Sequence, residues 1–312
     1  MRIVVTGAAG FVGSHLCEQL AARGCSVVGV DCFADYYTVR SKEQNVRELS
    51  AVGVRVKRLD LASDSLHGVL ADAAAIYHLA AQPGLSPHIA AEQYYRNNLV
   101  ATRALVKACC ALQRPPFLVN VSTSSVYGLH ATVDETAVPT PASVYGETKL
   151  AAERLALTCG RERGFPVCSA RLFSVYGPRE RPEKLCMKLI QCLSRGEEFP
   201  LYAGSLDHRR AFTFVGDAVD GLLAILDHRE RCAGEIFNIG SEIETTTRQA
   251  IAIVARLLGS KARLKILPPR PGDQLHTRAN IAKARAVLGY TPHTGLEHGL
   301  QAQISWYRQA RR

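Results

Sequence analysis

The chain's most suggestive chemistry lies in a tyrosine and a lysine four residues apart, Tyr145 and Lys149. On a helix that spacing puts both side chains on one face. An ammonium beside a phenol favours the phenolate and lowers a pKa that is otherwise about 10. With Thr123 as a third hydrogen-bonding partner, the phenol would be a base able to take a proton from a substrate hydroxyl near neutral pH. Thr123 belongs to a hydroxyl cluster, Ser122-Thr123-Ser124-Ser125, where a short apolar strand at 117–121 breaks off. Alone, the Tyr-Lys pair is equally an ordinary surface pair on a helix. The surrounding elements have to decide.

Residues 2–6 read as a buried strand that runs into Gly7-Ala8-Ala9-Gly10-Phe11-Val12-Gly13, with an amphipathic helix from Ser14 to about Arg23. A second apolar strand, 25–30, ends at Asp31. A glycine-rich turn between strand and helix, followed by a strand ending in an acid, is the mechanical fingerprint of a dinucleotide site. Gly7 permits the tight turn, Gly10 the approach of a pyrophosphate, and Gly13 close packing of helix on strand. The helix N-terminus faces the phosphates. Asp31 would hold the adenosine ribose hydroxyls and repel a 2′-phosphate, which favours NAD over NADP.

Further strands are predicted at 54–59, closed by Asp60-Leu61, and at 74–79, followed by Ala80-Ala81-Gln82-Pro83-Gly84. Small residues in that loop would let the backbone approach a cofactor, although a tight strand–helix loop needs them as well. A helix from about 92 to 111 carries Asn97-Asn98, the Tyr145 helix continues to about Gly160, and 167–172 is a sixth strand. This alternation predicts an α/β fold with a doubly wound parallel sheet of Rossmann type. After Tyr176 the rhythm changes. Helices are expected at 184–195, 217–226, 247–258 and 296–309, the 283–288 segment lies between the last two, and extended pieces are expected at 199–202, 212–215 and 236–239. We expect residues 1–176 with 212–240 to form the NAD-binding domain, and 177–211 with 241–312 a smaller mixed α/β substrate lobe.

Composition excludes more than it selects. At 312 residues, 47% hydrophobic and 21% charged, the chain is ordinary for a globular protein. No apolar run is long enough to span a membrane and no signal peptide is visible, so a cytoplasmic protein is expected. The net charge of +10 is scattered, without a long Lys/Arg block or interleaved aromatics, which argues against nucleic acid. Arginines in loops suit an anionic small molecule better. The ten cysteines contain no C-x-x-C and read as reduced and structural, with no metal.

Gly7-x-x-Gly10-x-x-Gly13, Asp31, Asp60-Leu61, His78-Leu79-Ala80-Ala81, Thr123, Tyr145-x-x-x-Lys149 and Arg171-Leu172-Phe173 occur in one order over nearly the whole chain. This set resembles the extended short-chain dehydrogenase/reductase family, and within it the nucleotide-sugar epimerases and dehydratases. The resemblance implies that Tyr145 is the base, that Lys149 holds the nicotinamide ribose and tunes Tyr145, and that Thr123 bonds the reacting sugar hydroxyl. Phe11 and Val12 would offer amides to the pyrophosphate, and Asp60 and Leu61 would flank the adenine. Leu79, Ala80, Ala81 and Asn98 would complete the cofactor site, and Pro83 and Gly84 would border the sugar. Arg210 and Arg270 fall where family members grip the diphosphate, although each is also readable as a solvated loop arginine. Dimerisation through the helices at 92–111 and 145–160 is a further family expectation.

In the dehydratases of this family Asp-Glu follows the threonine, and in the UDP-glucuronate decarboxylases Ser-Glu does. Here Ser124-Ser125 stand instead. Without a carboxyl group to drive elimination or a second proton transfer, the chemistry reduces to hydride out and hydride back, which inverts C4. The runs 122–128 and 173–182 resemble the UDP-glucuronate 4-epimerases, and Ser174 stands where UDP-glucose 4-epimerases carry Asn. By that resemblance Ser124, Ser125, Ser174 and Arg181 surround the C5 carboxylate. A 4-keto uronate is a β-keto acid, so a firmly held carboxylate would resist decarboxylation.

The chain also departs from its relatives. Gly84-Leu85-Ser86 lacks an arginine, Gly204-Ser205-Leu206 replaces Gly-Asp-Gly, and Ala211 and Asn280 each replace Asp. These changes bear on substrate detail rather than on reaction class. The runner-up activities are a UDP-glucose-type 4-epimerase and a UDP-glucuronate decarboxylase. From a different class, a non-catalytic NAD-binding regulator would be expected to have lost Tyr145 or Lys149.

Overall fold

A computed structural model describes residues 1–84 and 89–310. Seven strands form one parallel sheet in the order Ile236–Ile239, Val167–Leu172, Phe117–Thr123, Ala75–His78, Arg2–Thr6, Ser26–Asp31, Arg55–Arg58. The inner strands are buried on both faces because helices cover both. Ile3, Val5, Tyr77 and Val119 enter one core, and Val4, Ile76 and Leu118 enter the other, as period-two alternation requires. The order reverses between Arg2–Thr6 and Ala75–His78. Loops leaving the carboxyl ends of those two strands diverge there and open a crevice.

The expected alternation is present, with four differences. A helix, Val39–Ala51, follows the second strand; only Lys42, Asn45 and Leu49 of it are buried, so its apolar stripe is too thin to read from sequence. The strand at 117–121 extends to Thr123, which pairs with Leu172, so the hydroxyl cluster begins inside the sheet. The helix expected at 92–111 is interrupted by a wide π-helical turn, Tyr95–Val100. Of 212–215, only Thr213–Phe214 is strand, and Val215 already opens the helix to Asp227.

The remaining chain packs over the crevice. Glu244–Thr246, Arg209–Ala211, His276–Thr277 and His130–Ala131 form a small mixed sheet, to which the hydroxyl-cluster region therefore contributes a strand. Leu264–Leu267 pairs with Phe199–Tyr202 beside the helices Leu185–Arg195, Thr247–Leu258 and Leu296–Gln309, which share a core built on Leu189, Ile190, Val254 and Ile304. Phe199–Tyr202 is the extended piece expected there, whereas the other short strands carry too little periodicity to be seen in the sequence. The long helix Val144–Arg163 is fixed from behind by a buried ion pair. Glu153 accepts from Arg171 at 2.6 and 3.1 Å, and Arg171 also donates to the Tyr127 hydroxyl at 2.7 Å. Among the described residues, no helix is long and apolar enough to cross a membrane.

Candidate active site

The crevice is a cavity of about 510 Å³ running from the glycine-rich turn, past Thr123 and Tyr145, to Arg210 and Arg270. At one end the helix Phe11–Ala22 has no side-chain cap at Gly10, so the first-turn amides of Phe11 and Val12 are donors without helical partners. The backbone there is pressed too close for side chains. A Cβ on Gly13 would lie 2.2 Å from the Gly7 carbonyl oxygen, and one on Gly7, at φ +71°, would lie 2.8 Å from the Ala80 nitrogen. An open cradle of amides at a positive helix end fits a pyrophosphate. Asp31 is buried at the end of its strand; its carboxylate accepts from Ala9 N–H at 3.1 Å and Phe33 N–H at 2.8 Å. These bonds hold the anion where a ribose would meet it. Asp60, Leu61, Leu79, Ala80 and Ala81 line the same stretch, with Asp60 also paired to Arg96 at 2.7 Å.

Asn98 is not among the residues that line the cavity. Lying on the π-helical turn, it accepts from Gln82 N–H at 2.6 Å and donates to the Gln82 carbonyl at 3.2 Å and the Thr148 hydroxyl at 2.9 Å. It thus ties the loop 80–84 to the helix that carries Tyr145. Asn97 is the one of the pair that faces the cavity.

Tyr145 lies in the first turn of Val144–Arg163, which is capped by the Ser143 hydroxyl. Gly146 lets that turn press against the hydroxyl cluster, for a Cβ there would meet the Ser125 carbonyl oxygen at 2.6 Å. Lys149, one turn on, is buried. Its ammonium donates to the Val121 carbonyl at 2.7 Å, and burial lowers its pKa to about 8 against the opposing charge of Glu153. Burial pushes the Tyr145 phenol above its ordinary value, a hydrogen bond with Thr123 and the Arg181 charge oppose this, and Tyr94 adds to the rise. Thr123 and Arg181 thus both favour the phenolate, and Lys149 lies one turn further along the helix with its ammonium on the Val121 carbonyl.

Thr123 Oγ1 accepts from Ser125 N–H at 3.2 Å and lies 3.3 Å from the Ser125 hydroxyl. Ser124 turns toward Gln274, whose amide bonds the Ser124 hydroxyl at 3.2 Å, the Ser124 carbonyl at 3.1 Å and the Gly128 carbonyl at 2.9 Å. Ser174, at φ +38°, faces Thr277 at 3.3 Å and lines the cavity. Arg181 pairs with Glu183 at 2.6 Å and lies 5.6 Å from the Tyr36 ring centre, beside Pro83 and Gly84. Leu85 and Ser86, where an arginine is missing from the sequence, lie outside the described residues. At the far end Arg210 and Arg270 share the Asp273 carboxylate at 3.0 and 3.1 Å, and Arg270 sits over the Tyr202 ring. Neither is a solvated loop arginine.

The profile of the NAD dependent epimerase/dehydratase family matches residues 3–240. The chain belongs to this family. Family membership makes NAD the cofactor that the glycine-rich cradle and Asp31 fit. UDP-glucuronate 4-epimerase 1 of Arabidopsis thaliana is 35% identical over 98% of this chain and 76% of its own length. The UDP-glucuronic acid 4-epimerase of Bacillus cereus, solved with UDP-glucuronic acid and NAD, is 33% identical with a TM-score of 0.94, covering 99% of this chain and 100% of that one. MoeE5, solved with UDP-glucose and NAD, is 36% identical with a TM-score of 0.88 over the full length of both chains.

The structure adds residues to this epimerase-family cleft that the sequence reading passed over. Tyr36, Gln82, Lys184, Tyr202, Asp273 and Gln274 all line it. Gln274 and Asp273 follow the Pro-Arg-Pro-Gly loop, and nothing in local patterning distinguishes them from other loop residues. Only the return of that chain segment across the hydroxyl cluster brings them in.

Proposed function

We propose that the protein is an NAD-dependent 4-epimerase of UDP-sugars, converting UDP-glucuronate to UDP-galacturonate through a 4-keto intermediate. The observation that carries this reading is the pairing of a carboxylate-free hydroxyl turn, Thr123-Ser124-Ser125, with Tyr145 on one side and Arg181 on the other. NAD held by the glycine-rich turn and Asp31 would supply a reversible hydride acceptor for C4, and inversion requires the keto sugar to turn its other face to it before the hydride returns. Tyr145 removes the O4 proton and returns it, with Thr123 aligning that hydroxyl. Lys149 orients the nicotinamide ribose. Ser125, Ser174 and Arg181 hold the C5 carboxylate, Ser124 keeps the turn in place through Gln274, and Arg210 and Arg270 meet the diphosphate. With no carboxyl group in the turn, neither dehydration nor an assisted decarboxylation is favoured.

A second reading, a UDP-glucose-type 4-epimerase, is supported by the Arg181–Glu183 contact, which already neutralises the guanidinium. The intact Tyr145 and Lys149 argue against a non-catalytic NAD-binding regulator. Incubation with UDP-glucuronate and NMR of the product separates the remaining readings. UDP-galacturonate is expected; a pentose with carbon dioxide, or turnover of UDP-glucose alone, would overturn the assignment. Tyr145→Phe should lower the rate by orders of magnitude, and near-normal turnover would refute its role as base.

The division into an NAD domain (1–176 with 212–240) and a nucleotide-sugar lobe (177–211 with 241–312) is part of the same proposal. So is a homodimer formed by the helical segments 91–110 and 144–163, which pack side by side, with half-buried Ala104, Ala108 and Leu155 available to a partner copy. Light scattering tests it, and a monomer mass would refute it. Ten free thiols support a reducing, cytoplasmic setting.

A further inference from the structure

The segment 270–277 touches both ends of the cleft. At one end its Asp273 carboxylate accepts from Arg210 and Arg270. Arg210 directs the same nitrogen, Nη2, to a second acceptor on this segment, the Gln274 carbonyl at 2.9 Å. At the other end the Gln274 side chain spans the hydroxyl turn. Its Nε2 donates to the Ser124 carbonyl at 3.1 Å and the Gly128 carbonyl at 2.9 Å, and its Oε1 accepts from the Ser124 hydroxyl at 3.2 Å.

The turn has little to hold it otherwise. Ser124–Tyr127 is a single 3₁₀ turn that ends at Gly128 with φ +85°, and so short a helix makes few bonds of its own. Gln274 joins the carbonyl at its start to the carbonyl just past its end. The chain beyond Gln274 continues the contact. Leu275 N–H donates to the Leu129 carbonyl at 2.9 Å, and His276–Thr277 pairs with His130–Ala131 on one side and with Arg209–Ala211 on the other. Arg210 and the hydroxyl turn are therefore joined through hydrogen-bonded neighbours in one small sheet. Both protons of Arg210 Nη2 are engaged on this segment, so movement of the guanidinium toward a phosphate pulls on the Gln274 backbone.

We propose that Gln274 is a positioning residue that couples an occupied diphosphate site to the shape of the Thr123-Ser124-Ser125 turn. The hydroxyls then meet the sugar in register when the nucleotide is held, and binding energy remote from C4 is used at the reacting centre. This inference rests on the reading of the cleft as a nucleotide-sugar site. It requires no contact between Gln274 and the substrate, because Gln274 acts through Arg210 on one side and through Ser124 and Gly128 on the other.

The test is hydrogen–deuterium exchange of segment 122–128 in the NAD-loaded protein, with and without UDP. UDP fills the diphosphate site and carries no sugar to touch the turn. In wild type, UDP should slow exchange of the turn amides by about tenfold. Gln274→Leu keeps the backbone carbonyl and loses the clamp. It should bind UDP within about twofold of wild type, yet UDP should leave exchange of its turn unchanged. On UDP-glucuronate its kcat should fall about tenfold to a hundredfold, as for reacting groups held roughly 1 Å out of place, with KM little altered. A Gln274→Leu protein that melts lower but whose turn UDP still protects has lost only structure, and would overturn the proposal. So would a wild-type turn whose exchange ignores bound UDP. If Gln274→Leu does not fold, Gln274→Glu, similar in size and without the amide N–H pair, takes its place. Wild type that binds UDP and protects the turn, yet turns over no UDP-sugar, would sink the proposed activity and leave the coupling standing. Wild type that binds no UDP would sink both.

Discussion

Replacing Arg181 with methionine removes a guanidinium that faces two groups at once. Toward the substrate, one charge-assisted hydrogen bond is worth about 1.5–3 kcal/mol, or roughly tenfold to a hundredfold in kcat/KM. Toward the base, the same charge opposes the upward pull of burial on the Tyr145 phenol. Arg181→Met should therefore slow UDP-glucose modestly, through a weaker tendency to form phenolate, and slow UDP-glucuronate by the further tenfold or more. Glu183 competes for the guanidinium at 2.6 Å, but it is 38% exposed and returns to water cheaply when a uronate takes its place. Glu183→Gln should accordingly raise kcat/KM on the uronate by about two- to fivefold, since a partly exposed pair contributes under about 1 kcal/mol. Arg181→Lys keeps the charge near Tyr145 and loses the planar fork, so it should spare UDP-glucose and remain poor on the uronate. The assay is initial-rate kinetics on both sugars with each variant. Equal losses on the two sugars for Arg181→Met would refute the carboxylate reading.

Other perturbations probe the frame around the site. Gly13→Ala forces a Cβ to within 2.2 Å of the Gly7 carbonyl oxygen, so the turn must open, and NAD recovered from the purified protein should fall sharply; a full complement would show that the cradle is not where NAD sits. Burial raises the Glu180 carboxyl from 4.5 to about 7, so between those values the folded state keeps a proton that the unfolded chain has lost. Stability is then greatest below pH 4.5 for this group and declines as pH rises through 7, by on the order of 3 kcal/mol. Glu180→Gln should flatten that decline in denaturant melts at pH 5 and pH 8, and parallel curves for the two proteins would contradict it. Arg171→Met leaves Glu153 charged and unpaired in the core and should cost about 3–5 kcal/mol, most of it regained by adding Glu153→Leu. A double variant no more stable than the single one would show that the pair is not the cause.

Much of the cofactor half could be read directly from the chain. The turn at 7–13, the strand ending in Asp31 and the parallel alternation are local patterns whose physics is local: close backbone approach, an exposed helix end and period-two burial. The substrate half was legible only as motifs. Arg210 and Arg270 were placed by resemblance, while the carboxylate that orients them, Asp273, was invisible. Their partnership depends on a loop and a three-residue strand that have no periodicity of their own. Asn98 is a cofactor contact by resemblance alone, and in the structure its side chain joins Gln82 to Thr148. It lies on the π-helical turn Tyr95–Val100, and its neighbour Asn97 lines the cavity.

The Tyr145–Lys149 pair marks the boundary between the two kinds of information. Sequence determined that both residues share a helix face behind a dinucleotide turn, because helical spacing and the strand–turn–helix pattern leave little freedom. It also determined that no acid stands beside Thr123, which sets the class of chemistry. Only the tertiary structure decided where the Lys149 ammonium ends. Shared-face geometry does not fix where a long, flexible side chain ends, and Lys149 reaches down to the Val121 carbonyl. Thr123, the partner expected from sequence, and the charge of Arg181 oppose the effect of burial on the Tyr145 phenol.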